Sequence, residues 1–478
     1  MKVFSKFPRT FWIGNTLELF ERWAWYGFFM LFANYLTGSS DMGGLEFSQS
    51  QKGLLMGVGT GILYFLPVLT GAIADRYGYK RVLCLAFLIY ASAFLLLPLF
   101  SSFTGVFLMY LYLAVGAALF KPVIQATVAK TTTAETSSIG FGIFYMIVNV
   151  GAFFGPMVTL LFKSSFHLVF YISAGIIFLN LLLLPFYKEP GRDESRRDGN
   201  LLQSFAAVFR PMGAILKDVK FVIFLLIVAG FWAMYYQLFF TLPVFIAQWV
   251  DTGSLYDFFH RYVPFVTAHY SLAPGVMEAE FITNMDAFYI ILFQVLVSGL
   301  IMKMRPLRSM MSGFVVCSIG MALSFMSRDV MFTLVALLVF ALGEMAGSPK
   351  ISEYIGRIAP SGRKALYMGY SFIPVFIGNL LAGVISGNVY QALSDKVVIT
   401  RDFAALRGLS VSEGLSTQAY FEEVARQVNL SEEELTRLLW DTYDPSRLWM
   451  VLLAIGLVAA GSLFVYDRVI SGKTSQGS

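Results

Sequence analysis

The sequence predicts an all-α polytopic membrane protein in which twelve transmembrane helices form two six-helix bundles. Three observations carry that expectation. Of the 478 residues, 57% are hydrophobic and only 14% charged, with a mean hydropathy of +0.69; a soluble domain carries about 25% charged residues. Apolar runs of about 20 residues, the length that crosses a bilayer, recur along the chain. Lys and Arg collect in alternate connections, as cytoplasmic loops do.

Breaks at charges, prolines and glycines set the twelve spans at roughly 11–37, 53–74, 82–101, 104–127, 139–162, 167–187, 219–248, 281–302, 307–326, 330–349, 365–393 and 447–466. One set of connections holds Lys2, Lys6 and Arg9, then Arg76, Lys80 and Arg81, then Lys130. It continues with the cations from Lys188 to Lys220, Lys303, Arg305, Arg308, Arg357, Arg363, Lys364, Arg468 and Lys473. The opposite short loops hold only Lys52, Lys163, Arg261 and Arg328. Both termini are therefore expected to be cytoplasmic, in a plasma (inner) membrane, and the even helix count agrees. The net charge of +5 reflects these loops and not a nucleic-acid face. Cys84 and Cys317 lie within apolar segments, and the three histidines, His167, His260 and His269, lie near expected ends or loops. A disulfide framework, a zinc site or a histidine-based triad has little to draw on, so no catalytic residue, metal or cofactor is expected. The first apolar segment lacks a small-residue cleavage site, so it reads as a span and not as a cleavable signal peptide.

Within the first span, the stretch from Gly14 to Met30 carries Glu18, Glu21 and Arg22 among residues otherwise fit for lipid. Positions 18, 21, 22, 25, 26 and 29 share one helical face, so both carboxylates, the guanidinium, Trp25 and Tyr26 look the same way. An ionisable group at bilayer depth costs roughly 2.5–3.5 kcal/mol on insertion scales, so these three must pair or face water. That face reads as the wall of a solute pathway. An ion network that only locks helices together is the alternative.

The polar segment 188–218, with its RDESRRD cluster, reads as a solvated linker between residues 1–187 and 219–470. Six helices on each side suggest the repeat architecture of a secondary transporter with a central site at mid-membrane. Two insertions fall on the outer side of the second bundle, 249–280 and 394–446. The second is helical: Ser431 and Glu434 make a capping box, Leu435, Leu438 and Leu439 give one apolar face, and Tyr420, Phe421, Val424 and Val428 give another. A small cap packed on the helix ends accounts for this pattern; a gate or partner-docking element is the alternative.

After the second span comes Gly71-Ala-Ile-Ala-Asp75-Arg76-Tyr77-Gly78-Tyr79-Lys80-Arg81, which resembles the GxxxDRxGRR loop signature of the major facilitator superfamily. Glu18-Leu-Phe-Glu21-Arg22-Trp23-Ala24-Trp25-Tyr26-Gly27 resembles the ExxERFxYYG motif of its proton-dependent oligopeptide transporters. Further resemblances to that family follow in order: Phe120-Lys121-Pro122, then Phe144-Tyr145 with Asn149 and Gly151, then Phe231-Trp232-Ala233 with Gln237. Gly343-Glu344, Ser348-Pro349, Ala359-Pro360 and Gly378-Asn379 complete the series, which spans residues 14 to about 380.

The resemblance implies the superfamily fold and a proton-coupled symporter importing di- and tripeptides or peptide-like solutes by alternating access. It implies that Arg22 and Lys121 hold a substrate carboxylate, and that Glu344 meets an ammonium group or the coupled proton. Tyr26, Tyr64 and Asn149 would add neutral hydrogen bonds, with Trp232 and Gln237 in the same binding neighbourhood. Proton coupling would run through Glu18, Glu21, Arg22, Glu344 and Asp286. Burial favours the neutral form of a carboxyl and a neighbouring cation favours the charged form, so exchanging partners between states moves protons. The implied partners are protons, a small peptide-like substrate and the bilayer, with a monomer as the working unit. Two departures matter. Tyr236 stands where the family usually places an acid, and Asp286-Ala287 where it places Asn-Pro. With Trp23 and Trp25 in place of smaller aromatics, these departures allow a member specialised for a non-peptide zwitterion or anion. A membrane enzyme has no nucleophile–base pair to draw on. A sensor would normally carry a cytoplasmic signalling domain, and the inside loops are short.

Overall fold

The structure is a computed structural model that describes residues 6–133, 136–162, 166–191, 217–359 and 364–474. The RDESRRD cluster of the linker, Lys163, Pro360 and Arg363 lie outside the described residues. The chain is mostly helical, in the order α1 (Arg9–Thr37), α2 (Gln49–Phe65), α3 (Pro67–Tyr77), α4 (Tyr79–Leu96), α5 (Phe103–Lys130), α6 (Ser137–Leu160) and α7 (Phe166–Leu183). The second half begins with α8 (Val219–Tyr235), α9 (Gln237–Phe240) and α10 (Leu242–Trp249). After them come α11 (Gly253–Tyr262), α12 (Pro264–Tyr270), α13 (Ala279–Thr283), α14 (Met285–Ile301), α15 (Pro306–Leu323) and α16 (Val330–Ile358). The chain ends with α17 (Lys364–Gly369), α18 (Ile373–Val384), α19 (Tyr390–Leu393), α20 (Lys396–Leu406), α21 (Thr417–Gln427), α22 (Glu432–Tyr443) and α23 (Leu448–Thr474).

Among the described residues ten helical segments are long and apolar enough to cross a membrane, and the pair α2–α3, bent by 42°, makes an eleventh. The bend falls at Leu66–Pro67, where proline cannot donate a backbone hydrogen bond to the preceding turn. The charged α1, 29 residues long, lies on the first expected span, and every other expected span also coincides with helix. The expected seventh span, 219–248, is a series of three helices, α8 to α10, broken at Tyr236 and Thr241. The eleventh contains a π-turn, Ile385–Val389, between α18 and α19.

Contacts divide the chain into two units. The first comprises Met1–Phe29, Gly59–Leu225 and Ala359–Phe376; the second comprises Met30–Val58, Leu226–Ile358 and Ile377–Ser478. Within the first unit, α7 grips α1 through its polar residues: Asn180 donates to the Leu17 carbonyl and Ser173 to the Ala24 carbonyl. The turn between α3 and α4 takes the form its motif demands. Gly78 sits at φ 96°, and the Tyr79 hydroxyl donates to Asp75 at 3.1 Å.

In the second unit, the insertion 249–280 folds as α11, α12 and a two-stranded hairpin, Ser271–Ala273 with Val276–Met277. The insertion 394–446 is α20, α21 and α22. Its capping box is present at Ser431 and Glu434, and Phe421, Val424, Leu435 and Leu439 are buried. Glu46, in the connection before α2, accepts hydrogen bonds from the backbone amides of Ser40 (2.8 Å) and Thr417 (2.9 Å), which ties that connection to the start of α21. Partial burial pushes the Glu46 carboxyl up, but these donors and the Ser40 and Thr417 hydroxyls outweigh it and hold the group below its ordinary 4.5. A depressed acid stabilises the fold above its unfolded pKa, and the gain is lost as pH falls through the folded value. The Tm advantage of wild type over Glu46→Gln is therefore expected at pH 7 and should shrink away below about pH 4.5. A difference that grows on acidification would contradict this arrangement.

Candidate solute and proton site

In the first unit α1 presents Glu18, Glu21 and Arg22, all buried. Arg22 forms a two-pronged pair with Glu21, Nε to Oε2 at 2.6 Å and Nη2 to Oε1 at 2.7 Å, and approaches Glu18 at 3.4 Å. The Tyr90 hydroxyl donates to the same Glu21 carboxylate at 3.1 Å, and the Arg22 guanidinium lies 5.6 Å from the Tyr26 ring centroid. Charges at this depth have thus found one another, as their cost in hydrocarbon requires. Trp25 is buried and stacks on Phe29, inside the first unit's core.

Gly151 on α6 explains how Arg22 is accommodated. A Cβ there would come within 2.7 Å of the Arg22 Cβ and 3.0 Å of the Leu19 carbonyl, so only glycine lets the two helices approach this closely. Asn149, two residues before Gly151, donates to the Tyr145 carbonyl of its own helix. On α5 the Lys121 ammonium stands 4.4 Å from the Tyr64 ring centroid, and it interacts electrostatically with Arg22, Glu21 and Glu18. The structure therefore assembles Glu18, Glu21, Arg22, Tyr26, Tyr64 and Lys121 within one unit. Lys121 takes no ion pair among the described residues.

The second unit holds the remaining candidates. Glu344 on α16 accepts from the Tyr235 hydroxyl at 2.9 Å through Oε1, while its buried Oε2 has no partner. Asp286 on α14 is buried with Oδ1 unpartnered, and its carboxylate and that of Glu344 act on one another electrostatically. Both helices share an apolar core of Ile290, Val297, Ala341 and Met345, which fixes the two acids on facing elements. Gly343 presses against Cys317 of α15 with no room for a side chain, so the helix bearing Glu344 is held at close range.

Trp232 packs on Tyr235 with ring centroids 5.0 Å apart, and its indole N–H is buried without a partner. Gln237 is fully buried and donates to the Ala233 and Ala382 carbonyls, which joins α9 to α8 and α18. Tyr236 is buried among aromatic neighbours. Tyr235, the hydroxyl partner of Glu344, was not among the residues expected from sequence. Its spacing from Phe231 and Trp232 places all three on one helical face, and that was the available signal.

The position of Lys52 corrects an expectation. It counts as an outer-loop cation by sequence, but it lies in the first turn of α2 and is completely buried. Tyr390 and Asp395, far away in the chain, enclose it.

Residues 12–383 match the family model of the Major Facilitator Superfamily. A Na+, Li+, K+/H+ antiporter of Planococcus maritimus is 25% identical over 380 residues, covering 76% of this chain and 87% of that protein. Multidrug resistance protein MdtH of Aeromonas salmonicida is 23% identical over 333 residues, covering 68% and 75%. Among solved structures, a peptide transporter POT in complex with sulfate superposes with a TM-score of 0.68 at 16% identity, covering 96% of this chain and 95% of that one. A nucleoside transporter superposes with a TM-score of 0.69 at 14% identity, covering 96% and 100%. These likenesses to solved structures carry the fold. A single family model matched over most of the length, on a body of apolar spans, makes this chain a membrane transporter that belongs to the major facilitator superfamily.

Proposed function

We propose that the chain is a proton-coupled symporter for a small solute carrying both a carboxylate and an ammonium group, of which di- and tripeptides are the first class to test. One observation carries this reading: among the described residues Lys121 takes no ion pair, and Glu344 and Asp286 each keep one buried carboxylate oxygen without a hydrogen-bond partner. Lys121 stands over the Tyr64 ring and interacts with the Arg22 network, a setting suited to a carboxylate. Glu344 Oε2 and Asp286 Oδ1 are unpartnered on the helices of the other unit, a setting suited to an ammonium group or a proton. The motif resemblances of residues 14–380 point the same way. In this reading residues 1–187 and 219–470 are the two moving bundles, the termini face the cytoplasm and the monomer is the working unit.

A second reading rests on Asp286. Two buried acids that act on one another electrostatically, with no basic side chain of the described residues in ion-pair range of either, equally suit a cation exchanged for protons. The names of the Na+, Li+, K+/H+ antiporter and multidrug resistance relatives lie in that direction. Uptake into proteoliposomes under an imposed pH gradient separates the two. Labelled dialanine should accumulate and be displaced by unlabelled di- and tripeptides. A lack of peptide inhibition, with proton release on adding K+ or a lipophilic cation, would instead establish the second reading.

A further inference from the structure

We propose that Lys52 is a positioning residue that keeps the seam between α2 and the α18–α19 segment ready to open. The seam lies within the second unit and is closed by glycine. A Cβ on Gly57 would come within 2.9 Å of Gly383 Cα, and one on Gly53 within 2.7 Å of Gly387 Cα. Gly387 belongs to the π-turn Ile385–Val389. Backbone packed on backbone makes dispersion contacts that favour closure, the device that holds membrane helices together where no hydrophobic force acts between them. The Ser50 amide adds a hydrogen bond to the Gln391 side chain at 2.9 Å.

Lys52 opposes this closure. Its side chain is entirely buried and its ammonium has no hydrogen-bond partner. The Tyr390 ring centroid lies 5.3 Å away. The natural counter-ion, Asp395, attracts it but is not within ion-pair distance. Asp395 already accepts from Gln49 at 3.3 Å and Gln248 at 2.9 Å. An amine that water would hydrate as a point charge with three donors is here shut away from solvent with none of those donors placed. Parting the seam restores solvent to the ammonium, so Lys52 stabilises the parted state relative to the closed one. Glycine packing and a stranded ammonium balance each other, which is what a bistable element needs. The assignment does not depend on which solute is carried.

Hydrogen exchange of residues 49–58 and 383–391 in the full chain, reconstituted in nanodiscs, reads the opening directly, because the Ser50 amide is released when the seam parts. Lys52→Met should slow exchange in both segments by about tenfold while Tm stays equal or rises, and Lys52→Arg should restore wild-type exchange. Asp395→Asn removes the charge attraction that draws Lys52 into the closed seam, and should speed exchange. Exchange in Lys52→Met that is unchanged or faster would overturn the proposal, since Lys52 would then be inert or a lock. A Tm loss in Lys52→Met, or Asp395→Asn exchange at the wild-type rate, would overturn it as well.

Discussion

Glu344→Gln is expected to abolish proton-driven accumulation while sparing counterflow of the same solute. Glutamine keeps the size of the side chain and an oxygen for the Tyr235 hydroxyl, so the local packing on α16 survives. It cannot take up or release a proton, and in the symport reading the gradient then has no handle on the cycle. A gradient of one pH unit is worth about 1.4 kcal/mol per proton, so one coupled proton supports accumulation up to about tenfold and the variant should equilibrate near unity. Counterflow needs only the solute to exchange, so it should persist. Asp286→Asn is the companion measurement, because the two acids interact. If Asn at 286 abolishes driven uptake and Gln at 344 does not, the coupling acid is Asp286. If neither changes it, neither carboxyl carries the proton.

Much of this architecture is legible in the chain because the bilayer demands long apolar helices, and their lengths and breaks are local properties. Gly78 and Gly151 are readable for the same reason: a tight turn and a close helix approach each leave a glycine in a recognisable frame. The face carrying Glu18, Glu21 and Arg22 follows from helical spacing alone, and the pairing follows from the cost of leaving charge in hydrocarbon. The bend at Pro67 had its signal in the proline, though a single span of 53–74 absorbs it. Other features depend on residues far apart in sequence. Lys52 follows a polar Gln-Ser-Gln and looks like a loop cation; only Tyr390 and Asp395, more than three hundred residues later, bury it. Gln237 looks like a binding residue until the Ala382 carbonyl occupies its amide. The hydroxyl on Glu344 comes from Tyr235 and not from the neighbouring Tyr236, a choice set by the rotation of α8 against α16.

Arg22→Ala is expected to destabilise the first unit by about 3–5 kcal/mol, the usual loss when one member of a buried ion pair is removed. The Arg22 side chain is 6% exposed and that of Glu21 is not exposed at all, so solvent does little to screen the charges left behind. Both carboxylates would then lose their ion-pair partner, with Tyr90 still donating to Glu21. The expected readout is a large fall in Tm in detergent, together with loss of transport. Lost stability alone does not distinguish a transport role from a locking role, so a second variant is decisive. Glu21→Leu combined with Arg22→Met, in a Glu18→Gln background, removes the network as a unit and replaces it with uncharged side chains of similar length, which in buried pairs is often neutral or stabilising. If the network only locks helices, this combined variant should fold and transport. If Arg22 holds a carboxylate and Glu21 exchanges a proton, it should fold with near-wild-type Tm and be inactive. A combined variant that transports at the wild-type rate would remove Arg22 and Glu21 from the mechanism and leave Lys121 as the anion-binding group of the first unit.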